Sequence, residues 1–197
     1  MHRSAMANRD ERGLRGYDSG FPIPGLSAQL TDGTTMPAPD LTPRPVSASQ
    51  STMTELMMPN MANSLGNVFG GVILSLVDRV AAVAAIRHAG GPCVTVSIDH
   101  VEFREPIHVS ELVIAQASVN YVGRTSLEVG VRIEAEEIAT RRRRHTNSCY
   151  LTFVAIDAHE RPRRVAPIRP ETAQEKQRYE AARRRREARI RAREEAT

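Results

Sequence analysis

The chain has 197 residues, 27 of them Lys or Arg against 23 Asp or Glu, and a formal charge of +4. That length suits one ordinary domain with tails and leaves two domains tight. With 4% aromatic residues and no Trp, any core must be built from Val, Ile, Leu and Ala, and the apolar stretch over residues 72–86, broken by Asp78 and Arg79, falls short of the roughly 18 to 20 apolar residues of a membrane span.

Residues 1–50 are rich in Pro, Gly, Ser and Thr, with no sustained period of 2 or 3.6, and are expected to form a disordered extension. The domain proper is expected over 51–160. Residues 52–58 read as a first strand. Residues 72–88, VILSLVDRVAAVAAIRH, have helical length and apolar residues on nearly every face, which predicts a helix surrounded by protein. Gly70-Gly71 stand at its start, and Gly90-Gly91-Pro92 stop it.

Four strands are predicted next, over 94–103, 111–122, 125–138 and 145–157. The third alternates most cleanly: Leu127, Val129, Val131, Ile133 and Ala135 share one face, while Glu128, Arg132, Glu134 and Glu136 share the other, expected to be wet. Tyr121-Val122-Gly123-Arg124 reads as a hairpin turn, so its strands are antiparallel neighbours. The order β-α-β-β-β-β predicts an α+β fold in which an antiparallel sheet curls around one long central helix. Residues 161–197 are a linker followed by a charged C-terminal helix, which either projects from the body or lies across it through Tyr179 and Ile190. Cys93 and Cys149 match no metal spacing and read as reduced thiols of a cytoplasmic protein. No metal or cofactor is called for.

The stretch from Ala62 to Gly71, ANSLGNVFGG, leads into the helix that carries Asp78. A carboxylate in an apolar helix is costly unless paired or used. Gly71, Leu74, Ser75, Ala81, Ala82 and Ala85 share its helical face and are mostly small, leaving room for another backbone or a ligand. The competing readings are an ion pair with Arg79 or Arg104 and a hydrogen bond to a neighbouring strand. The glycine pair presents unsatisfied N–H groups at the positive end of the helix dipole, a geometry that suits an oxyanion. Asn67 stands beside the same point, as a functional amide or a plain turn residue. About 10 Å of helix rise separates Gly71 from Asp78. If both act on one carbonyl, they must come from two copies of the chain, which predicts an isologous dimer with two shared sites.

ANSLGNVFGGVILSLVDRVAAVAAIRH, followed by VTVSIDHVEFREPI, YVGRTSLEV, HTNSCYLTFVAID and RPETAQEKQRYEAARRRR, resembles the hotdog-fold acyl-CoA thioesterases, in particular the cytosolic long-chain acyl-CoA hydrolases and their bacterial single-domain relatives. The likeness covers about residues 51–190. It implies hydrolysis of fatty acyl-CoA to fatty acid and CoA, with a loop Asn and a helix Asp from different units in each site, matching Asn67 and Asp78. It further implies that Gly70 and Gly71 polarise the thioester carbonyl. Asp78 would act as general base toward water or attack directly to give an anhydride. Some bacterial relatives carry a second Asn where this chain has Leu65.

For the CoA phosphates the candidates are Arg124, Thr125 and Ser126 in the hairpin, and Arg143 and Arg144 before the last strand. The expected assembly is a homodimer as minimal unit, within a tetramer or a hexamer built as a trimer of dimers. His88 and His100 read as structural. The competing readings are a non-catalytic acyl-CoA sensor of the same fold, a nucleic-acid binder and a dehydratase. The last two are disfavoured, by the absence of aromatic platforms and of an Asp-His motif.

Overall fold

The structure, a computed structural model, describes residues 39–195, so residues 1–38 and 196–197 and the side chains of His100 and Arg193 lie outside it. Arg44–Pro45 (β1) leads through a 3-10 turn at Val46–Ser49 to Ser51–Leu56 (β2). The long helix is Gly70–Ala89 (α1). The strands Cys93–Phe103 (β3), Leu112–Val122 (β4), Ser126–Glu137 (β5) and Arg142–Ala155 (β6) follow it, then Ile168–Arg169 (β7) and a second helix, Ala173–Glu195 (α2). The main sheet is antiparallel throughout, in the order β2-β4-β5-β6-β3. It wraps α1, as expected.

The wrap follows from the side-chain pattern. Ile73, Leu76, Val77, Val80, Ala81, Ala84 and Ala85 recur at helical spacing and are buried to 2% exposure or less. They meet the inward residues of β4, β5 and β6, among them Val113, Ala115, Val119, Val129, Ile133, Leu151 and Phe153. Each fully buried large aliphatic contributes on the order of 1.5–3 kcal/mol. Gly90 ends α1 at φ 67°, a left-handed position that costs Gly nothing, and its N–H donates to the Ile86 carbonyl.

Three expectations need correction. This chain covers only one side of α1: Ser75 and Ile86 are exposed and Asp78 and Ala82 half-buried, so the apolar residues on the far side need cover from elsewhere. Residues 39–50 do not all belong to a disordered extension. Val46 and Ser49 are buried, Ser49 Oγ accepts from the Val119 N–H, and Arg44 donates to the His88 carbonyl. Finally, the outward face of β5 is not simply wet, because Glu128 and Glu136 are each 3% exposed.

The cover over Glu128 is α2. It lies across the outward face of the sheet, burying Ala182 and placing the Tyr179 ring 5.2 Å from that of Tyr121. Ile190, the other expected anchor, stays exposed. The grip is instead ionic: Arg185 donates to Glu128 at 2.6 Å and stacks on Tyr150, and Arg189 bridges Glu128 and Asp99.

Candidate active site

The loop before α1 is organised by Asn63. Its Oδ1 accepts from the N–H groups of Leu65 and Asn67 at 2.9 and 3.2 Å, and its own N–H donates to the Asn67 carbonyl at 2.7 Å. Gly66 makes the turn at φ 79°. Both asparagines are half-buried, and neither side-chain NH2 has an acceptor among the described residues. Asn67 is bridged to His108 and the Val68 N–H donates to Ile107, which ties the loop to the segment after β3.

α1 begins at the glycine pair, where first-turn N–H groups find no acceptor within the helix. Two of the four Phe residues in the sequence sit here. A Cβ on Gly71 would come within 2.4 Å of the Phe69 ring, and one on Gly70 within 3.4 Å of the Phe103 ring. A side chain at 71 would have to displace the Phe69 ring, whereas glycine leaves the first-turn amides unobstructed by side chains of their own.

Asp78 stands where the buried stripe of α1 meets the open one. Ala81 and Ala85, predicted to share its face, pack into the core, while Gly71, Ser75 and Ala82 border the open side. The Asp78 carboxylate accepts from Thr95 Oγ1 of β3 at 2.8 Å, which is the hydrogen bond to a neighbouring strand among the competing readings. Neither arginine of the ion-pair reading reaches it: Arg79 pairs with Glu55 at 2.9 Å and Arg104 with Glu102 at 3.2 Å. Asp78 is thus held by a neutral donor and half open to solvent.

The predicted CoA contacts do not converge within one chain. Arg124, Thr125 and Ser126 lie at the β4–β5 turn, with the Thr125 carbonyl accepting from Ala155. Arg143 and Arg144 lie near the other end of β5, roughly 35 Å away at 3.3 Å per strand residue. Arg143 is bound to Glu136 at 2.6 Å. Arg144 is bound to Glu111, Glu105 and the Pro106 carbonyl. Burial pushes the Glu111 carboxyl up, but Arg144 and the His108 N–H outweigh it and hold the group below its ordinary value. These two arginines bind the protein's own carboxylates.

Other nucleophiles are poorly suited. Burial pushes the Cys93 thiol up to about 12 and the Cys149 thiol to about 11, so both stay protonated. His88 is fully buried, with Nε2 2.9 Å from the Ala166 carbonyl, a structural role as expected. Among the described residues no His, Cys, Asp and Glu cluster could hold a metal, and no helix is long and apolar enough to cross a membrane.

Sequence reasoning did not single out Asn63 or Thr95. Asn63, three residues before Gly66, carried the signature of a side-chain-capped turn. Thr95 carried no signal of its own, since a Thr in a strand is ordinary until the helix across from it is placed.

Residues 65–141 match the model of the thioesterase superfamily. The protein VdlD of Helicobacter pylori is 43% identical over 139 residues, spanning 71% of this chain and 79% of its own length. The chain belongs to the hotdog-fold acyl-CoA thioesterases. A Bacillus subtilis relative described as an uncharacterized acyl-CoA thioester hydrolase, YkhA, is 35% identical to this thioesterase over 64% of the chain and 74% of its own length. Mouse acyl-coenzyme A thioesterase 11 is 35% identical, but the thioesterase here spans 25% of that protein.

Among solved structures, an apo-hexameric acyl-CoA thioesterase superposes with a TM-score of 0.74 at 37% identity, over 77% of this chain and 97% of the other. The acyl-CoA hydrolase of Staphylococcus aureus, solved in complex with butyryl coenzyme A, coenzyme A and coenzyme A disulfide, gives 0.73 at 33% identity over 78% and 93%. Variants of that enzyme have been solved with alanine replacing an Asn, an Asp 15 residues further on, and a Thr 17 residues beyond the Asp. In this thioesterase, Asn63, Asp78 and Thr95 stand at the same two spacings.

Proposed function

We propose that this acyl-CoA thioester hydrolase carries out its reaction at Asp78, held by Thr95 of the same chain and facing the Asn63 loop and glycine pair of a second protomer. The Asp78–Thr95 hydrogen bond carries the reading. It orients a carboxylate that has no cationic partner, as a general base requires.

A water molecule attacks the thioester carbonyl carbon and gives its proton to Asp78. The oxyanion is held by the Gly71 N–H, with the Gly70 N–H beside it, at the positive end of α1. Collapse of the tetrahedral intermediate breaks the C–S bond. The sulfur leaves with the proton from Asp78, giving a carboxylic acid and CoA. Fatty acyl-CoA is the proposed substrate.

The loop amide that assists is Asn63 rather than the Asn67 expected from sequence. The spacing shared with the S. aureus variants supports this, as does the way two backbone N–H groups pin its Oδ1 and leave its NH2 free to donate. The hairpin residues Arg124, Thr125 and Ser126 are the proposed contacts for CoA phosphate on the strength of the family resemblance, and Arg143 and Arg144, bound to Glu136 and Glu111, are no longer proposed. The uncovered side of α1 and the 10 Å between Gly71 and Asp78 support a dimer as the minimal unit. Relatives solved as hexamers support a trimer of such dimers.

In a thiol-release assay with acyl-CoA, Asp78→Asn is expected to lower kcat by about 10²–10⁴-fold. Asn63→Ala should lose far more activity than Asn67→Ala, with thermal midpoints close to that of the parent. An Asp78→Asn protein with undiminished turnover would remove the basis of this assignment.

A further inference from the structure

We infer that Asp99 and Arg189 are positioning residues for the reaction: α2 clamps strand β3 so that Thr95 is held against the Asp78 carboxylate. The inference rests on the reading of Asp78 and Thr95 given above and assigns a task to the charged C-terminal helix.

β3 is the strand most in need of such a clamp. Within this chain it forms one edge of the main sheet, next to β6. Even that pairing is broken twice, between Thr95 and Ser97 and again between Asp99 and Glu102. The paired run between the breaks is Ser97, Ile98 and Asp99, and Thr95, paired with Phe153, closes the run on the other side of the first break. The two breaks interrupt the register on both sides of Asp99, so side-chain contacts help to set where β3, and with it Thr95 Oγ1, stands.

α2 supplies what the ladder lacks. Thr95 is in register with Phe153, whose side chain is in the core, so it points inward to α1; Asp99 is in register with Tyr150 and turns to the outward face. There Arg189 donates to the Asp99 carboxylate and, through both terminal nitrogens, to the buried Glu128 of β5. One turn earlier, Arg185 binds Glu128 and stacks 3.6 Å above the Tyr150 ring of β6. Two arginines of one helix thus tie three adjacent strands together from outside. A planar guanidinium that bridges two carboxylates sets the lateral position of β3 in a way a surface ion pair does not. Ser97 Oγ donates to Asp99 at 3.3 Å, adding a tie within the run.

The test is a double-mutant cycle in the full-length protein, read as kcat and KM for thiol release. Asp99→Asn is expected to lower kcat about tenfold, with KM changed less than about twofold, because a small displacement of Thr95 disturbs the geometry of the base rather than substrate binding. Thr95→Val should lower kcat by a similar or greater factor. The double variant should be no slower than Thr95→Val alone, since the clamp acts through the hydroxyl that is already gone. Arg189→Gln cuts the same link from the helix side without touching the sheet, and should reproduce both the kcat loss and the non-additivity. Losses that multiply in both cycles would overturn the clamp while leaving the Asp78 site intact. A Thr95→Val enzyme with unchanged kcat would overturn the Thr95 part of the site, and the clamp with it.

Discussion

Asp78 and His88 are ten residues apart on one helix, and their surroundings give them opposite tasks. Asp78 is half-exposed, bound by a hydroxyl and without a cationic partner among the described residues, the setting of the proposed base. His88 is fully buried, with one ring nitrogen on the Ala166 carbonyl and Nδ1 without a partner among the described residues. Burial holds its pKa below the ordinary value against the pull of that carbonyl, and the charge of Arg44 lowers it further. The unfolded chain therefore binds a proton at His88 before the folded one does. Stability is complete above about pH 6.5 and declines as pH falls below it. The thermal midpoint should drop between pH 7 and pH 5, and His88→Gln, less stable overall, should lose that part of the slope. A slope unchanged in the variant would assign the effect to other groups.

At the scale of elements, the alternation of β5 identified its inner face correctly and its outer face only in part. Nothing local to β5 distinguishes Glu128, buried beneath α2, from Glu134 at the rim, because the cover comes from residues nearly sixty positions later. The arginines of α2 have unequal weight for the same reason. Arg183 pairs with Glu180 on the exposed side of the helix, and its removal should cost no more than about 0.5 kcal/mol. Arg185→Ala takes one of two arginines from the buried Glu128, leaving Arg189, and should cost about 1–3 kcal/mol. Denaturant unfolding measures both, and equal losses would show that α2 is held by something other than this network. Thr95 was missed for a related reason: its task is defined by the face of α1 across from it, not by its sequence neighbours.

For the whole molecule, the decisive fact is that one chain covers only one side of a largely apolar helix and places the proposed base, Asp78, about 10 Å of helix rise from the glycine-pair amides. Both point to a second copy. Mixing Asp78→Asn with Asn63→Ala after subunit exchange gives mixed dimers in which one of two sites is whole. Random mixing should therefore restore about a quarter of parental activity. Exchange shown by a labelled subunit, with no activity regained, would place each site within a single protomer.

The sequence alone determined the elements and their order, because period 3.6 over residues 72–88 and period 2 over β5 are local properties that burial on one face demands. It also singled out the neighbourhood proposed as the site, since an Asp in an apolar helix after a glycine pair is physically unusual wherever it occurs. Only the tertiary structure decided which donor Asp78 meets, which of two loop asparagines is pinned, which arginines are occupied by carboxylates and where α2 lies. Each of these depends on contacts between residues distant in sequence, and a side chain's partner there is set by the packing of layers rather than by its neighbours along the chain.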